Sequence, residues 1–324
     1  MNVSHLFNST SEETFKEKAR EVFLYQYEHT KVYRNFCDAL KIDPSTVDAL
    51  EKIPFLPIQF FKSHSVISEH RTSQLTFESS GTTGSKLSKH HVADLTLYEN
   101  SFMKGFELFY GDPSEITILA LLPSYLERDN SSLVYMVHQL IEKSESTDSG
   151  FYLNELEQLK EKILQLEKAK RKTLLIGVSY ALLDLIEMNS FQLEHTIVME
   201  TGGMKGKRKE MIKEELHFHL KKGFGIEKVH SEYGMTELLS QAYSKGEGIY
   251  NSPPWMRVLT RDTEDALTYV HGKTGGINII DLANLYSCSF IATQDLGKVY
   301  ADRSFEIMGR FDVSDIRGCN LMVG

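Results

Sequence analysis

Between residues 74 and 230 the chain alternates short apolar runs with amphipathic stretches, and this alternation restricts the fold more than any other feature. Gln74-Leu-Thr-Phe-Glu78 alternates apolar and polar residues as a strand does, and a helix is expected from about Asp94 through Leu95, Tyr98, Phe102 and Phe106. Ile116-Thr-Ile-Leu-Ala-Leu-Leu122 is a continuous apolar run stopped by Pro123. Leu153 to Lys172 places Leu156, Leu159, Ile163 and Leu166 on one helical face. Thr173-Leu-Leu-Ile-Gly177 reads as a strand followed by a helix over Tyr180 to Met188. His195-Thr-Ile-Val-Met-Glu200 is a further strand, opening into Thr201-Gly202-Gly203 and a Lys-rich helix from about Lys207. Apolar strands separated by helices call for a parallel α/β core covered on both faces.

The flanks read differently. Ser11 to about Leu40 is helical, with Phe15, Ala19, Val22, Phe23 and Tyr27 on one face, and the prolines of Ile53-Pro-Phe-Leu-Pro-Ile58 make that segment extended. After Ser231, runs such as Gly276-Ile-Asn-Ile-Ile280 and Cys288-Ser-Phe-Ile-Ala292 predict β structure. The expectation is one domain over residues 1–324: a helical part at 1–70, an α/β core at 71–230 and a β-rich closing part at 231–324.

The 324 residues, 41% hydrophobic and 25% charged, have the balance of a globular protein with a sizeable core. A net charge of -9 argues against a nucleic-acid partner, because a phosphate backbone demands a basic surface. Cys37, Cys288 and Cys319 are too few and too scattered for a disulfide framework or a zinc site, and free thiols fit a cytoplasmic location. The first twenty residues carry charges and no apolar run, unlike a signal peptide, and no stretch is long and apolar enough to span a bilayer. His90-His91 and His217-x-His219 lack a third ligand at metal-site spacing and read as surface residues.

Four short segments carry chemistry. Ser79-Ser80-Gly81-Thr82-Thr83-Gly84 combines two hydroxyl pairs with glycines at the end of a strand, a composition that wraps a polyphosphate through N–H and O–H donors. Alone, such a cluster is more often an ordinary solvated turn, and it does not satisfy the Walker A pattern. Tyr233-Gly234-Met235-Thr236-Glu237 offers an aromatic face for a flat base and a carboxylate for Mg2+. Asp295, in Thr293-Gln294-Asp295-Leu296-Gly297, suits adjacent ribose hydroxyls, and Arg310, in Gly309-Arg310-Phe311-Asp312, suits the ribose-phosphate end.

In this order the four segments resemble the motif series of the adenylate-forming superfamily. Within it the chain looks most like the acyl-protein synthetases of bacterial bioluminescence, the LuxE family. That likeness runs through Tyr33-Arg-Asn-Phe-Cys37, Ile53 to Ile58, Leu122-Pro-Ser-Tyr-Leu-Glu-Arg128, Thr201-Gly-Gly-Met-Lys205 and Ile316-Arg-Gly-Cys-Asn320. The resemblance implies that family's large-domain fold, parallel sheets with flanking helices and a β-rich part, without the small C-terminal domain of most superfamily members. It implies ATP and Mg2+ as cofactors, a small carboxylic acid, fatty by resemblance, as substrate, and an acyl-accepting protein such as a reductase or carrier as partner. Ser79 to Gly84 would lie over the phosphates, Gly202 and Gly203 would line the adenine and acyl pocket, and Tyr233, Gly234 and Met235 would lie beside the base. Asp295 and Arg310 would hold the ribose. Thr82, Thr236, Glu237 and Cys319 would carry the chemistry, with Glu237 on the metal and Cys319 accepting the acyl group. The superfamily's Pro-Lys after the glycine loop is replaced by Gly84-Ser85-Lys86, so either Lys86 or Lys89 takes the lysine's part. Three other readings stay open from the residues: a phenylacetate-type CoA ligase, an acyltransferase subunit without adenylation, and a non-catalytic nucleotide-binding protein.

Overall fold

A computed structural model describes residues 5–7, 11–79, 86–123, 130–202, 208–209 and 211–311. The described helices are α1 (Glu12–His29), α2 (Lys31–Ala39), α3 (Phe60–Ser63), α4 (Leu95–Tyr110), α5 (Ser132–Lys143), α6 (Leu156–Lys168), α7 (Ser179–Met188) and α8 (Lys213–Phe224). The first eight strands are β1 (Leu56–Pro57), β2 (Leu75–Glu78), β3 (Lys89–Val92), β4 (Thr117–Leu121), β5 (Gly150–Phe151), β6 (Thr173–Val178), β7 (Thr196–Thr201) and β8 (His230–Tyr233). The rest are β9 (Ala242–Ser244), β10 (Ile249–Asn251), β11 (Met256–Arg261), β12 (Tyr269–Val270), β13 (Gly275–Asp281), β14 (Phe290–Val299) and β15 (Phe305–Arg310).

The chain forms two compact units. One takes the described residues up to Leu75, then Ser88–Leu95, then those from Pro254 onward; the other takes Thr76–Leu87 and Thr96–Pro253. In the second unit β4, β6, β7 and β8 are parallel neighbours, with β5 parallel to the outer side of β4. Every residue of β4 and β6 is buried, which explains their unbroken apolar sequence: parallel strands are covered on both faces. The direction then reverses, β9 pairing antiparallel with β8 and β10 with β9. α5 adds a helix to the sequence expectation; Ser131 caps it by accepting from the Val134 N–H at 3.4 Å. Phe77, Tyr98, Phe102 and Tyr135 form an aromatic cluster, with Phe77–Tyr98 and Tyr98–Phe102 centroids 5.3 and 5.0 Å apart.

In the first unit β13 is buried along its whole length and sits between β11 and β14, all antiparallel; β15 follows on β14, and β1 runs parallel to β14. The helical stretch expected over Ser11 to about Leu40 comprises two helices, α1 and α2. Thr30 leaves helical geometry (φ -108°, ψ 93°) between α1 and α2, although the apolar spacing continues across it. The buried Gln26 ties α1 to the β13–β14 connection. Its amide donates to the Asn284 and Leu285 carbonyls at 3.0 and 2.9 Å and accepts from the Ser289 N–H at 3.0 Å. Phe23, Tyr33, Phe55 and Phe290 pack against one another in the same unit.

Candidate active site

The parallel strands β7 and β8 end side by side, because Thr201 pairs with Glu232 in their register. Gly202 and the Tyr233–Glu237 turn therefore leave adjacent carboxyl ends of the sheet, the edge where open α/β sheets hold ligands. Gly202 has φ +67°, a left-handed geometry that a side chain would strain. The Ser179 hydroxyl donates to its carbonyl at 2.6 Å. Gly234 is required for a different reason: a Cβ there would lie 2.5 Å from Glu232 Oε1. Glu232 is itself fixed, its Oε2 accepting from the Thr201 hydroxyl at 2.6 Å. Tyr233 is half-buried, its ring tilted 60° to that of Tyr250 with centroids 5.8 Å apart. Met235 and Thr236 are half-buried, Glu237 is buried, and the Leu238 N–H donates to the Met235 carbonyl at 3.1 Å to close the turn.

The glycine loop begins at the end of β2. Glu78 is clamped there by Asn130: its N–H donates to the Asn130 carbonyl at 2.8 Å, and the Asn130 amide donates to Glu78 Oε2 at 3.0 Å. Ser79 follows, half-buried. Ser80, Gly81, Thr82, Thr83 and Gly84 lie outside the described residues, as do Gly203 and Cys319. Lys86 and Lys89 are both exposed. Asp295 and Arg310 belong to the other unit, where they are register partners on β14 and β15. Arg310 Nε lies 3.5 Å from Asp295 Oδ1, with the arginine side chain 70% exposed and the carboxylate 13%.

One cluster has no counterpart in the motif series. Glu200, near the end of β7, is buried and accepts from Lys213 Nζ at 2.9 Å; that ammonium also donates to the Tyr250 hydroxyl. His217 Nε2 lies 3.5 Å from the same Glu200 oxygen and 3.4 Å from the Ser231 hydroxyl. Burial opposes charge on Glu200, but the His217 hydrogen bond and the Lys213 ammonium prevail and hold its pKa at about 2. Burial also opposes charge on Lys213, and Glu200 overrides it, so the lysine stays firmly protonated. The sequence signal was Glu200 itself, a carboxylate ending an apolar strand and therefore in need of a partner. The surface reading of the histidines fails for two of them: His217 is buried, and buried His90 meets Asn284 Oδ1 at 3.0 Å.

Among the described residues no group of three or more His, Cys, Asp or Glu is placed to hold a metal. Among the described residues no helix is long and apolar enough to cross a membrane.

The model of the family described as acyl-protein synthetase, LuxE, matches residues 5–324. A long-chain-fatty-acid–luciferin-component ligase of Aliivibrio fischeri is 22% identical, the match spanning 93% of this chain and 85% of that protein. Of solved structures, 2-hydroxyisobutyryl-CoA ligase in an open conformation with 2-HIB-AMP and CoA is similar with a TM-score of 0.66 at 14% identity. That match covers 97% of this chain and 75% of the other. ATP-bound MatB from Rhodopseudomonas palustris is similar with a TM-score of 0.54 at 18% identity, over 72% of this chain and 47% of the other. At these identities the likeness establishes the fold, and the α/β fold of adenylate-forming ligases expected from the motifs is the one observed.

Proposed function

The chain belongs to the acyl-protein synthetase (LuxE) family and is an AMP-forming ligase, and from that premise we propose that it uses ATP to activate a carboxylic acid, of the long-chain fatty class that the Aliivibrio relative's name carries, and passes the acyl group to a protein thiol. The acid's carboxylate attacks the α-phosphorus of ATP, forming the acyl–phosphate bond as pyrophosphate leaves. The thiol then displaces AMP. The observation that carries this reading is the meeting of Gly202 with the Tyr233–Glu237 turn at adjacent carboxyl ends of β7 and β8. Two glycines there, one left-handed and one without room for a Cβ, let main chain approach a ligand closely.

In this proposal Ser79, Ser80, Gly81, Thr82, Thr83 and Gly84 would supply hydroxyl and N–H donors to the phosphates, helped by Lys86 or Lys89. Tyr233, Gly234 and Met235 lie beside the base with Gly202 and Gly203, while Asp295 and Arg310 take the ribose. Thr236 would donate to phosphate, and Glu237 would hold Mg2+, which would supply charge neutralisation for the pyrophosphate group. For the acyl acceptor the structure supplies a contrast. Cys37 and Cys288 are buried; burial pushes Cys37 up to about 12 and Cys288 further still, so neither supplies a thiolate. Cys319 is the remaining cysteine and the acceptor we assign, handing the acyl group on to a reductase or carrier.

ATP–pyrophosphate exchange across short, long and aromatic acids tests the first half. Exchange with a long-chain acid is expected, falling about 100-fold or more in Glu237→Gln; a folded protein inactive with every acid would overturn the reading. For the second half, Cys319→Ser should abolish hydroxylamine-labile acyl label, and retained label would move the acceptor elsewhere.

A further inference from the structure

The antiparallel register of β8 and β9 sets Glu232 opposite Tyr243 and Tyr233 opposite Ala242. Continued by one residue it sets Gly234 opposite Gln241, and a Cβ on Gly234 would indeed lie 3.4 Å from Gln241 Cγ. Strand side chains alternate, so Glu232, Gly234, Gln241 and Tyr243 share one face, directly behind the turn proposed to meet the nucleotide. Two of them end in buried atoms, Gln241 Oε1 and Tyr243 OH, that have no hydrogen-bond partner among the described residues. These residues are only 6% and 1% exposed. Native proteins leave few such groups, and those they leave call for a reason.

The surroundings are aromatic. The Tyr243 ring packs against Phe109 and Tyr110 of α4, with centroids 5.2 and 5.4 Å apart. Burial, reinforced by the Glu232 charge, pushes the Tyr243 hydroxyl well above its ordinary range, so it is neutral and carries a proton to donate. Gln241 Oε1 can only accept. A ligand that satisfies both must accept from a phenol and donate to an amide oxygen. An aliphatic hydroxyl does both; a plain alkyl chain does neither and would leave both atoms buried and unpaired.

We propose that Gln241 and Tyr243 form a specificity subsite for a hydroxyl group on the acid, so that the preferred substrate is a hydroxylated carboxylic acid. This rests on the acyl-adenylation reading and narrows its substrate class. The test is ATP–pyrophosphate exchange with acids of matched length: unsubstituted, hydroxylated at the second, third or terminal carbon, and amino-substituted. One hydroxylated acid should exceed the unsubstituted acid in kcat/KM by about 10- to 100-fold. Gln241→Leu and Tyr243→Phe should each bring that ratio close to one, with thermal unfolding confirming that the variants fold. Should either fail to fold, the wild-type panel decides alone. The proposal is overturned if the unsubstituted or amino acid matches every hydroxylated one, or if the preference survives both substitutions, as it would if the two atoms merely share a buried water. Exchange without hydroxyl preference removes this proposal and leaves adenylation standing, whereas no exchange with any acid removes both.

Discussion

Glu200–Lys213 and Asp295–Arg310 are both carboxylate–cation pairs, held in opposite physical circumstances. Glu200 is buried, its side chain 6% exposed and that of Lys213 27% exposed, and the pair is completed by Tyr250 and His217. Arg310 projects with most of its guanidinium in water and touches Asp295 at 3.5 Å. A charge taken out of water must be compensated by its neighbours, so the buried pair is obligatory for the unit that contains it. An exposed pair gains little from its own contact and leaves its donors free for something else. The buried pair is thus a structural support near the end of β7, whereas Arg310 presents most of its side chain to solvent.

The contrast breaks most directly at Lys213. Lys213→Met removes the ammonium and strands a buried carboxylate, which should cost about 3–5 kcal/mol in urea or thermal unfolding. Replacing both partners, as Lys213→Met with Glu200→Leu, should recover much of that loss, because an apolar pair of similar volume leaves no charge to compensate. If the single variant unfolds like the wild type, Glu200 is not an obligatory partner and the two pairs are alike.

Acid should expose the same difference. The folded-state pKa of Glu200 lies at about 2, below its ordinary 4.5. Its contribution is therefore complete above about pH 4.5 and is lost as pH falls toward 2, a change on the order of 3 kcal/mol. His230 acts in a neighbouring window. Burial, with Lys245 and Lys228 nearby, lowers its pKa to about 4, so the unfolded chain binds its proton first and stability declines as pH falls from 6.5 toward 4. Unfolding free energies measured across pH 7 to 2 check both. In Lys213→Met the segment between 4.5 and 2 should flatten, because Glu200 has lost the ammonium that favoured its charged form. An unchanged profile would mean that His217 alone holds the carboxylate.

How much of this was readable beforehand follows from where each signal resides. β4 and β6 announce themselves because strands buried on both faces must be apolar throughout, and the glycines at 202 and 234 stand out because a left-handed φ at the first and the lack of room for a Cβ at the second favour glycine. The break at Thr30 is silent: Phe23, Tyr27 and Tyr33 keep a near-helical rhythm across it, and no proline or glycine marks it. The union of the first 75 residues with those from Pro254 onward, and the meeting of Glu200 with Lys213 and Tyr250, are non-local events. No spacing rule encodes them. Asp295 and Arg310 stand out in the sequence only through motif order, and their pairing across β14 and β15 is a register property that two separate short segments do not reveal.

A smaller effect is expected at Gly234. Gly234→Ala would press a methyl group against Glu232 Oε1, 2.5 Å from the ideal Cβ position, and Glu232 is held by Thr201. Displacing it should cost about 1–3 kcal/mol. Exchange activity should fall by more than stability alone explains, because the Tyr233–Glu237 turn moves with it; paired unfolding and exchange measurements separate the two. Equal losses would make Gly234 a packing residue only.

The exposed pair should give the smallest change in stability and the sharpest test of what exposure means. Arg310→Ala removes a contact already made in water, so unfolding should shift by no more than about 0.5 kcal/mol. If Arg310 serves the nucleotide, KM for ATP should rise several-fold with little change in kcat, and Arg310→Lys should restore the charge while recovering only part of the affinity, because an ammonium lacks the planar fork of donors. Should Arg310→Ala instead destabilise the fold as much as Lys213→Met, exposure would be a poor guide to role here. Should it leave both stability and KM untouched, the pair is no more than two charges facing each other across a strand edge, and the ribose must be held by other donors.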